Sequence, residues 1–345
     1  MARQALAAAL ARALNALKWG FACATGRSAA AQPCCRAAVL QCCSAAARRP
    51  TGPSPFGRNG QAGATLGTLA TMHFFDHDTQ VTPLAALSTN PSGTAAFSGQ
   101  VQPAWNIGAN PNGGYLLALA AQALRQTTPS QPDPLSITVH YLRPGLAGAP
   151  CRIETRLLRS GRTLSTVRAT LVQDGSARLE VLAAMGDLGA PAAAPAPRLS
   201  LPVPSIPPPE ACPGRSAPAQ GVDLPILQRL DVRLHPAEAV PGAAGQARVT
   251  GWIRFTDGRP PDALACLLMA DAFPPAVFGL LSMVGWVPTV ALTVHLRGRP
   301  APGWLLGQFW SHDLSHGRVV EDGALWDSSG QLVLQARQLA LVRQG

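Results

Sequence analysis

Apolar and polar side chains alternate along several short stretches of this chain, most clearly in residues 163–173. There the two kinds exchange at every step from Thr166 to Leu171, so an extended segment would have one apolar and one polar face. A period of two indicates a β-strand with one buried face. Asp174-Gly175 follows directly and is typical of a two-residue hairpin turn.

Strand-like stretches of this kind occur in two sets, and each set contains one apolar helical stretch. The first set predicts a helix over 114–125, after a loop rich in Asn, Pro and Gly. The second predicts a helix over 261–271, opened by two prolines and Asp262. The predicted strands are 94–101, 135–143, 152–159, 163–173 and 177–185 in the first set, and 249–255, 289–297, 304–311, 319–326 and 331–342 in the second.

The two sets also share landmarks. The stretch His140-Tyr141-Leu142-Arg143-Pro144 matches His295-Leu296-Arg297-Gly298-Arg299-Pro300, and a turn glycine follows each at a similar distance. The chain therefore predicts an α+β duplication, in which one helix packed on a curved antiparallel sheet is made twice.

Composition along the chain suggests four segments. Residues 1–71 are a tail rich in Ala, Arg and Cys that we expect to be disordered, and 72–189 form the first unit, whose first strand we expect at Met72-His73-Phe74-Phe75-Asp76. Residues 190–220 contain many prolines, among them the run Pro207-Pro208-Pro209, and suit an extended linker. Residues 221–345 form the second unit.

The charge of the chain is concentrated in the tail. The formal net charge is +10, but residues 1–71 hold eight Lys and Arg and no acid, which leaves 20 basic against 18 acidic residues elsewhere. The basic balance is therefore no argument for a nucleic-acid partner. An acid-free Ala and Arg composition is typical of an organelle transit peptide, and the alternative is that the start is assigned too early.

The remaining composition favours a cytoplasmic protein, or an imported one if the tail is a true transit peptide. Five of the eight cysteines lie in the tail, and the three in the body show no pattern of a disulfide framework or a zinc site. The most apolar stretch, 263–292, is broken by Asp271 and three prolines, so we expect no membrane partner. We expect no metal and no cofactor.

Asp271 is the most informative single residue. It follows Leu264 by seven residues and Leu267 by four, so helical spacing places its carboxylate on an apolar stripe. A buried acid needs partners, which makes it a candidate functional residue. The alternative is that the helix ends at Met269 and Asp271 caps the following turn in solvent.

The body of the chain resembles the acyl-CoA thioesterase II family, whose members have a double hotdog fold. The resemblance covers roughly residues 72–345 and rests on the order of three stretches: Asn112-Gly113-Gly114, Thr138-Val139-His140-Tyr141-Leu142-Arg143-Pro144-Gly145, and Leu158-Arg159-Ser160-Gly161-Arg162-Thr163-Leu164-Ser165-Thr166-Val167-Arg168. It implies a tandem hotdog, with Asp271, Thr289 and Gln338 as the catalytic residues. The first helix has no acid, so we expect one active site, mainly from the second half.

Strand parity bears on two of these residues. Gln338 shares a face with Leu334, Ala336 and Ala340, and an amide on an apolar face needs a partner. It could still be an ordinary hydrogen-bonded core residue. Thr289 has the outward parity of its strand, so it points inward only if it precedes the regular strand or a bulge intervenes.

The resemblance implies hydrolysis of an acyl-CoA to free acid and CoA. Asp271 would take the proton of a water that Gln338 and Thr289 hold in line. Asn112, Gly113 and Gly114 are the predicted substrate-binding residues, because backbone N–H groups at the start of the first helix could polarise the thioester carbonyl; the two glycines could equally serve only a tight turn. Two alternatives remain: a protein that binds acyl-CoA or acyl carrier protein without hydrolysing it, and an enoyl-CoA hydratase. A homo-oligomer is a further expectation.

Overall fold

The computed structural model describes residues 72–85, 93–189, 199–282 and 286–342. Within these ranges, twelve strands form one continuous antiparallel sheet, and two buried helices pack against it. The predicted α+β duplication and tandem hotdog arrangement are confirmed. The tail at 1–71 and the start of the predicted linker lie outside the described residues. No helix in the described ranges is long and apolar enough to cross a membrane.

The first half contains a one-turn helix, a long helix and the strands of one half-sheet. The short helix α1 spans Phe74–Asp78 and the long helix α2 spans Gly113–Thr127. The strands are β1 Val81–Pro83, β2 Thr94–Gln100, the small pair β3 Asn106–Ile107 and β4 Asn110–Pro111, then β5 Asp133–Tyr141, β6 Pro150–Arg159, β7 Ser165–Gln173 and β8 Ser176–Gly186.

The second half repeats the arrangement. A short helix α3 at Ala217–Gln220 precedes the apolar helix α4 at Ala263–Met269. The strands are β9 Leu230–Leu234, β10 Arg248–Phe255, β11 Thr289–Leu296, β12 Leu305–Ser315, β13 Arg318–Trp326 and β14 Leu332–Leu341. The strand order through the whole sheet is β1-β2-β6-β7-β8-β5-β11-β14-β13-β12-β10-β9.

The halves join where β5 pairs with β11. These strands run antiparallel with Thr138 opposite Thr293, and the two threonine hydroxyls lie 3.0 Å apart, within hydrogen-bond distance. β5 is the last strand of the first half-sheet and β11 the first strand of the second. Each therefore pairs with the edge that the other half would otherwise leave open. The duplication is therefore one folding unit at the sheet level, because separating the halves would expose two unpaired strands.

Helices α2 and α4 cross at Gly114. A Cβ atom built on this glycine would lie 2.8 Å from the carbonyl oxygens of both Leu267 and Leu268. All seven residues of α4 are buried, as are almost all residues of α2 from Gly114 to Leu124. A helix that is apolar all round must be buried on every side. The sheet covers one side of each helix, and the other helix covers a side that the sheet does not contact.

Two expectations about local structure are wrong. The segment at 72–76 is not a strand, because a single helical turn directs Phe75, only 1% exposed, against the rings of Trp105 and Phe255 while Phe74 stays 43% exposed. The second apolar helix is also shorter than expected: it ends at Met269, before the turn that leads into Pro274 and Pro275.

The described part of the predicted linker packs on the second half. The indole N–H of Trp252 donates to the carbonyl of Pro207 at 2.9 Å, and that of Trp326 donates to the carbonyl of Leu201 at 3.3 Å. Indole N–H groups that are withdrawn from water need acceptors. The carbonyls of a proline-rich segment are free to accept, because they are not engaged in a helix or a sheet. The predicted domain boundaries themselves stay a prediction.

Replacing Gly114 with Ala should destabilise the fold by about 1–3 kcal/mol, because the nearest atoms are backbone carbonyls that cannot turn aside as a flexible side chain could. Chemical denaturation would measure the free energy of unfolding. Gly214→Ala is the matched control, since a Cβ atom placed on Gly214 would have no neighbouring atom within 4 Å. Equal unfolding free energies for the two variants would contradict the close helix crossing.

Candidate active site

Asp271 lies two residues beyond the end of α4, in the turn that follows the helix. Its backbone N–H donates to the carbonyl of Leu268 at 3.1 Å, so the chain still turns tightly there. The alternative that the helix stops at Met269 is therefore correct in its first part. Its second part is not, because the Asp271 side chain is half-buried and lines a cavity.

The N-terminus of α2 holds the Asp271 carboxylate. The backbone N–H of Gly114 donates to Asp271 Oδ2 at 2.9 Å, and Asn112 Nδ2 donates to the same oxygen at 3.2 Å and to the Asp271 carbonyl at 2.7 Å. Asn112 is also the N-cap of α2, where its Oδ1 accepts the N–H of Tyr115 at 2.9 Å. Unpaired N–H groups and the positive end of a helix dipole both favour an anion here.

These contacts concern the residues expected to bind substrate. Asn112 and Gly114 contact the catalytic candidate directly, and the Gly113 backbone N–H also lowers the pKa of Asp271. The glycines therefore do more than permit a turn: they bring N–H groups of the first half to a carboxylate of the second. Their predicted role toward substrate stays a prediction.

Burial raises the pKa of Asp271 to about 6, against the stabilising effect of its hydrogen bonds and of Arg215. Desolvation disfavours the charged carboxylate, and here it outweighs donors that favour that charge. A carboxyl group in this range is a stronger base than an exposed aspartate and is still largely ionised at neutral pH. This is the range in which general bases work well.

Arg215 is a site residue that the sequence did not reveal. It is buried, and its guanidinium donates to the carbonyl of Ala272 and to Oε1 of Gln220. Burial lowers the pKa of Arg215 to about 9, while the nearby Asp271 carboxylate opposes that shift. The residue comes from the segment predicted as a linker, where irregular backbone gives no periodic signal that could have placed it.

Thr289 and Gln338 meet on the inner face of the second half-sheet. The register of β11 against β14 shifts between Thr289 and Ala291, and this bulge turns Thr289 inward as the parity argument required. The Thr289 hydroxyl donates to Gln338 Oε1 at 3.0 Å. Gln338 lies directly opposite Glu321 of β13, and its Nε2 donates to Glu321 Oε1.

Glu321 completes this polar chain and was missed in the sequence. It is only 5% exposed, and its second oxygen, Oε2, accepts the backbone N–H of Ala276. Burial raises the pKa of Glu321 to about 7. A signal existed: Glu321 shares strand parity with buried Val319 and Leu325, the same argument that supports Gln338.

One cavity of about 270 Å³ brings the three predicted catalytic residues together. Asp271, Thr289 and Gln338 all line it, and so do Arg215 and Glu321. Its apolar wall draws on both halves of the chain, with Leu116, Leu142, Phe273, Phe278, Phe309 and Val319 among its residues. The described residues of the first half hold no equivalent of Gln338: Ala183, which follows Gly175 by eight residues as Gln338 follows Gly330, is an apolar core residue.

Comparisons with known protein families match both halves. A family model described as the acyl-CoA thioesterase N-terminal domain matches residues 101–189, and one described as the C-terminal domain matches residues 209–342. Together they cover most of the described chain.

Individual relatives agree with these matches. An uncharacterized protein of Mycobacterium tuberculosis is 31% identical over 283 residues, which cover 75% of this chain and 96% of that protein. A crystal structure from Thermobifida fusca, described as a candidate thioesterase II, is 32% identical with a TM-score of 0.66 and covers 79% of this chain and 98% of its own. A protein of unknown function with a hot dog fold from Alicyclobacillus acidocaldarius is 26% identical, with a TM-score of 0.66 and coverages of 79% and 99%.

Proposed function

The chain belongs to the acyl-CoA thioesterase family, and we propose that it hydrolyses an acyl-CoA to free acid and CoA with Asp271 as general base. The observation that carries this proposal is the meeting of Asp271, Thr289 and Gln338 at one cavity that is otherwise largely apolar. An apolar wall suits an acyl chain, and the polar groups suit a water molecule beside the thioester.

The hydrogen bonds of Gln338 define how it would hold that water. As a carboxylate, Glu321 only accepts, so the Gln338 amide must turn its NH₂ group toward Glu321 and its oxygen toward Thr289. The second N–H of Gln338 then remains for a water oxygen. Thr289 uses its own hydrogen on Gln338, which leaves its lone pairs to accept a hydrogen from the same water.

Asp271 supplies the remaining contact. The donors Asn112 and Gly114 both bind its Oδ2, so we assign the water to Oδ1. One water hydrogen is then directed to Asp271, the other to Thr289, and one lone pair toward Gln338. The remaining lone pair can attack the thioester carbon while Asp271 takes the proton.

Thioester cleavage needs little more than this arrangement. When the water oxygen bonds to the carbonyl carbon, the C=O electron pair moves onto oxygen; its return breaks the C–S bond and releases the CoA thiolate. Thiolates leave readily because thiols are acidic relative to alcohols, so no strong acid is needed at the sulfur. The proton held by Asp271 returns to solvent or to the thiolate.

Binding of acyl-CoA without turnover is the alternative that a Thr289 side chain facing away from the cavity would favour. The bulge in β11 and the hydrogen bond to Gln338 give Thr289 a place in the polar chain, which supports hydrolysis over binding alone.

Purified protein should release free CoA from at least one member of a panel of short, medium, long and aromatic acyl-CoAs, as measured with a thiol reagent. Asp271→Asn keeps the shape but removes the base, so kcat should fall roughly 100-fold or more with KM nearly unchanged. Gln338→Ala should cost less. Asp174→Asn, at an exposed hairpin turn, is the matched control. Silence of the wild-type protein across the panel, or normal turnover by Asp271→Asn, would contradict the proposal.

The rate should also depend on pH in a defined direction. Burial raises the pKa of Asp271 to about 6 and that of Glu321 to about 7, so both carboxyls bind protons as the pH falls through this range. A protonated Asp271 cannot take a proton from water, and kcat/KM should therefore decline below pH 7 with an apparent midpoint that belongs to the two groups jointly.

A Glu321→Gln variant separates the two carboxyls in the pH profile. The remaining decline should move toward the pKa of Asp271, about 6. A profile that stays flat down to pH 5, well below that value, would contradict Asp271 as the base.

A further inference from the structure

We propose that the Tyr141 hydroxyl donates the hydrogen bond that binds the thioester carbonyl oxygen. The assignment rests on the thioesterase function proposed above and adds a catalytic residue to it. Asp271, Thr289 and Gln338 contact the attacking water, and none of them is assigned to the thioester carbonyl oxygen. The oxygen that gains negative charge needs a donor of its own.

The first observation is that this hydroxyl is buried and unpaired. Tyr141 is the last residue of β5 and lines the cavity beside Asp271, yet its Oη has no hydrogen-bond partner among the described residues. Buried polar atoms are nearly always paired, and an exception in a cavity wall calls for an explanation. A hydroxyl kept free for a ligand atom is such an explanation.

The second observation is that Tyr141 and Asp271 meet at Gly113. A Cβ atom built on this glycine would lie 2.9 Å from Tyr141 Oη and 2.9 Å from Asp271 Oδ2, which is closer than side-chain atoms pack. Position 113 therefore has no room for a side chain, and its absence lets the Tyr141 hydroxyl lie close to the Asp271 carboxylate. A thioester carbonyl oxygen bound to Tyr141 Oη would then lie beside the residue that activates the water.

The third observation is that the neighbouring donors are already engaged. Gly114 N–H and Asn112 Nδ2 donate to Asp271, and the Thr289 hydroxyl donates to Gln338. Arg215 donates to the Ala272 carbonyl and to Gln220. The Tyr141 O–H is thus a buried donor in the cavity wall that has no acceptor among the described residues.

Tyr141 also keeps its proton under the conditions of the reaction. Burial, and next the charge of Asp271, raise the pKa of Tyr141 well above its usual value. The hydroxyl therefore acts as a hydrogen-bond donor and transfers no proton. When water adds to the carbonyl carbon, the electron pair of the C=O bond moves to the oxygen that Tyr141 binds, and it returns when the C–S bond breaks.

The test compares the two tyrosines of the chain. Tyr141→Phe removes only the hydroxyl, so kcat for the best acyl-CoA should fall about 100-fold, as for loss of one oxyanion donor. Thermal stability should stay equal or rise, because no hydrogen bond of the protein is lost. An unchanged kcat would overturn the proposal, and so would a lower Tm with normal turnover.

Tyr115→Phe is the matched control. The Tyr115 hydroxyl is buried but fully paired: it donates to the Asp78 carbonyl at 2.8 Å and accepts the Gln102 N–H at 3.1 Å. Its removal should lower the Tm and leave kcat close to wild type. The opposite pattern in the two variants distinguishes a hydroxyl that serves catalysis from one that serves the fold.

A second readout does not depend on turnover. Ketone analogues of the acyl-CoA panel, in which a methylene replaces the thioester sulfur, keep the carbonyl but cannot be hydrolysed. The infrared C=O stretch of a bound analogue should move to lower frequency in the wild-type protein, and this shift should shrink in Tyr141→Phe. Equal frequencies in both proteins would overturn the proposal. A wild type that hydrolyses no acyl-CoA would instead contradict the proposed function, and the infrared comparison would still decide the role of Tyr141.

Discussion

The hydrogen bond from the Gly114 N–H to the Asp271 carboxylate is the contact on which the site depends. It joins the start of α2 in the first half to the turn after α4 in the second, so neither half alone can form it. The contact is possible because Gly114 lacks a side chain and lets the two helices approach closely. A duplicated fold thus yields one site, in which the first half supplies the helix dipole and the second the acid.

The free-energy cost of removing the Asp271 carboxylate from water explains why hydrogen-bond donors and Arg215 surround it. A partly buried carboxylate loses hydration, and the N–H groups of α2, Asn112 and Arg215 offset only part of this loss, which leaves the pKa of Asp271 raised. The same physics operates at Glu321, where the backbone N–H of Ala276 and the Gln338 amide offset burial. Two carboxyl groups with raised pKa values therefore line the cavity in which a water molecule would be activated.

Strand periodicity predicted much of the fold and part of the site. The strands and the inward direction of Gln338 follow from a period of two, and Glu321 could have been found in the same way. The duplication follows instead from the repeated order of elements and landmarks, and the turn into β8 from Asp174-Gly175. Arg215 could not, because irregular backbone carries no period. The helix at Phe74 was missed because five residues with two adjacent aromatic side chains fit a strand or one helical turn equally well, and only packing against Trp105 decides.

The central claim is that water, activated by Asp271, attacks the thioester directly. A single turnover in H₂¹⁸O with enzyme in excess over acyl-CoA tests it, with mass spectrometry of both the acid and the protein. The account predicts one ¹⁸O atom in the acid from the first turnover and none in the protein. An unlabelled first-turnover acid with ¹⁸O in the Asp271 carboxyl would show attack by the carboxylate itself through an anhydride, and would contradict the role of Asp271 as general base.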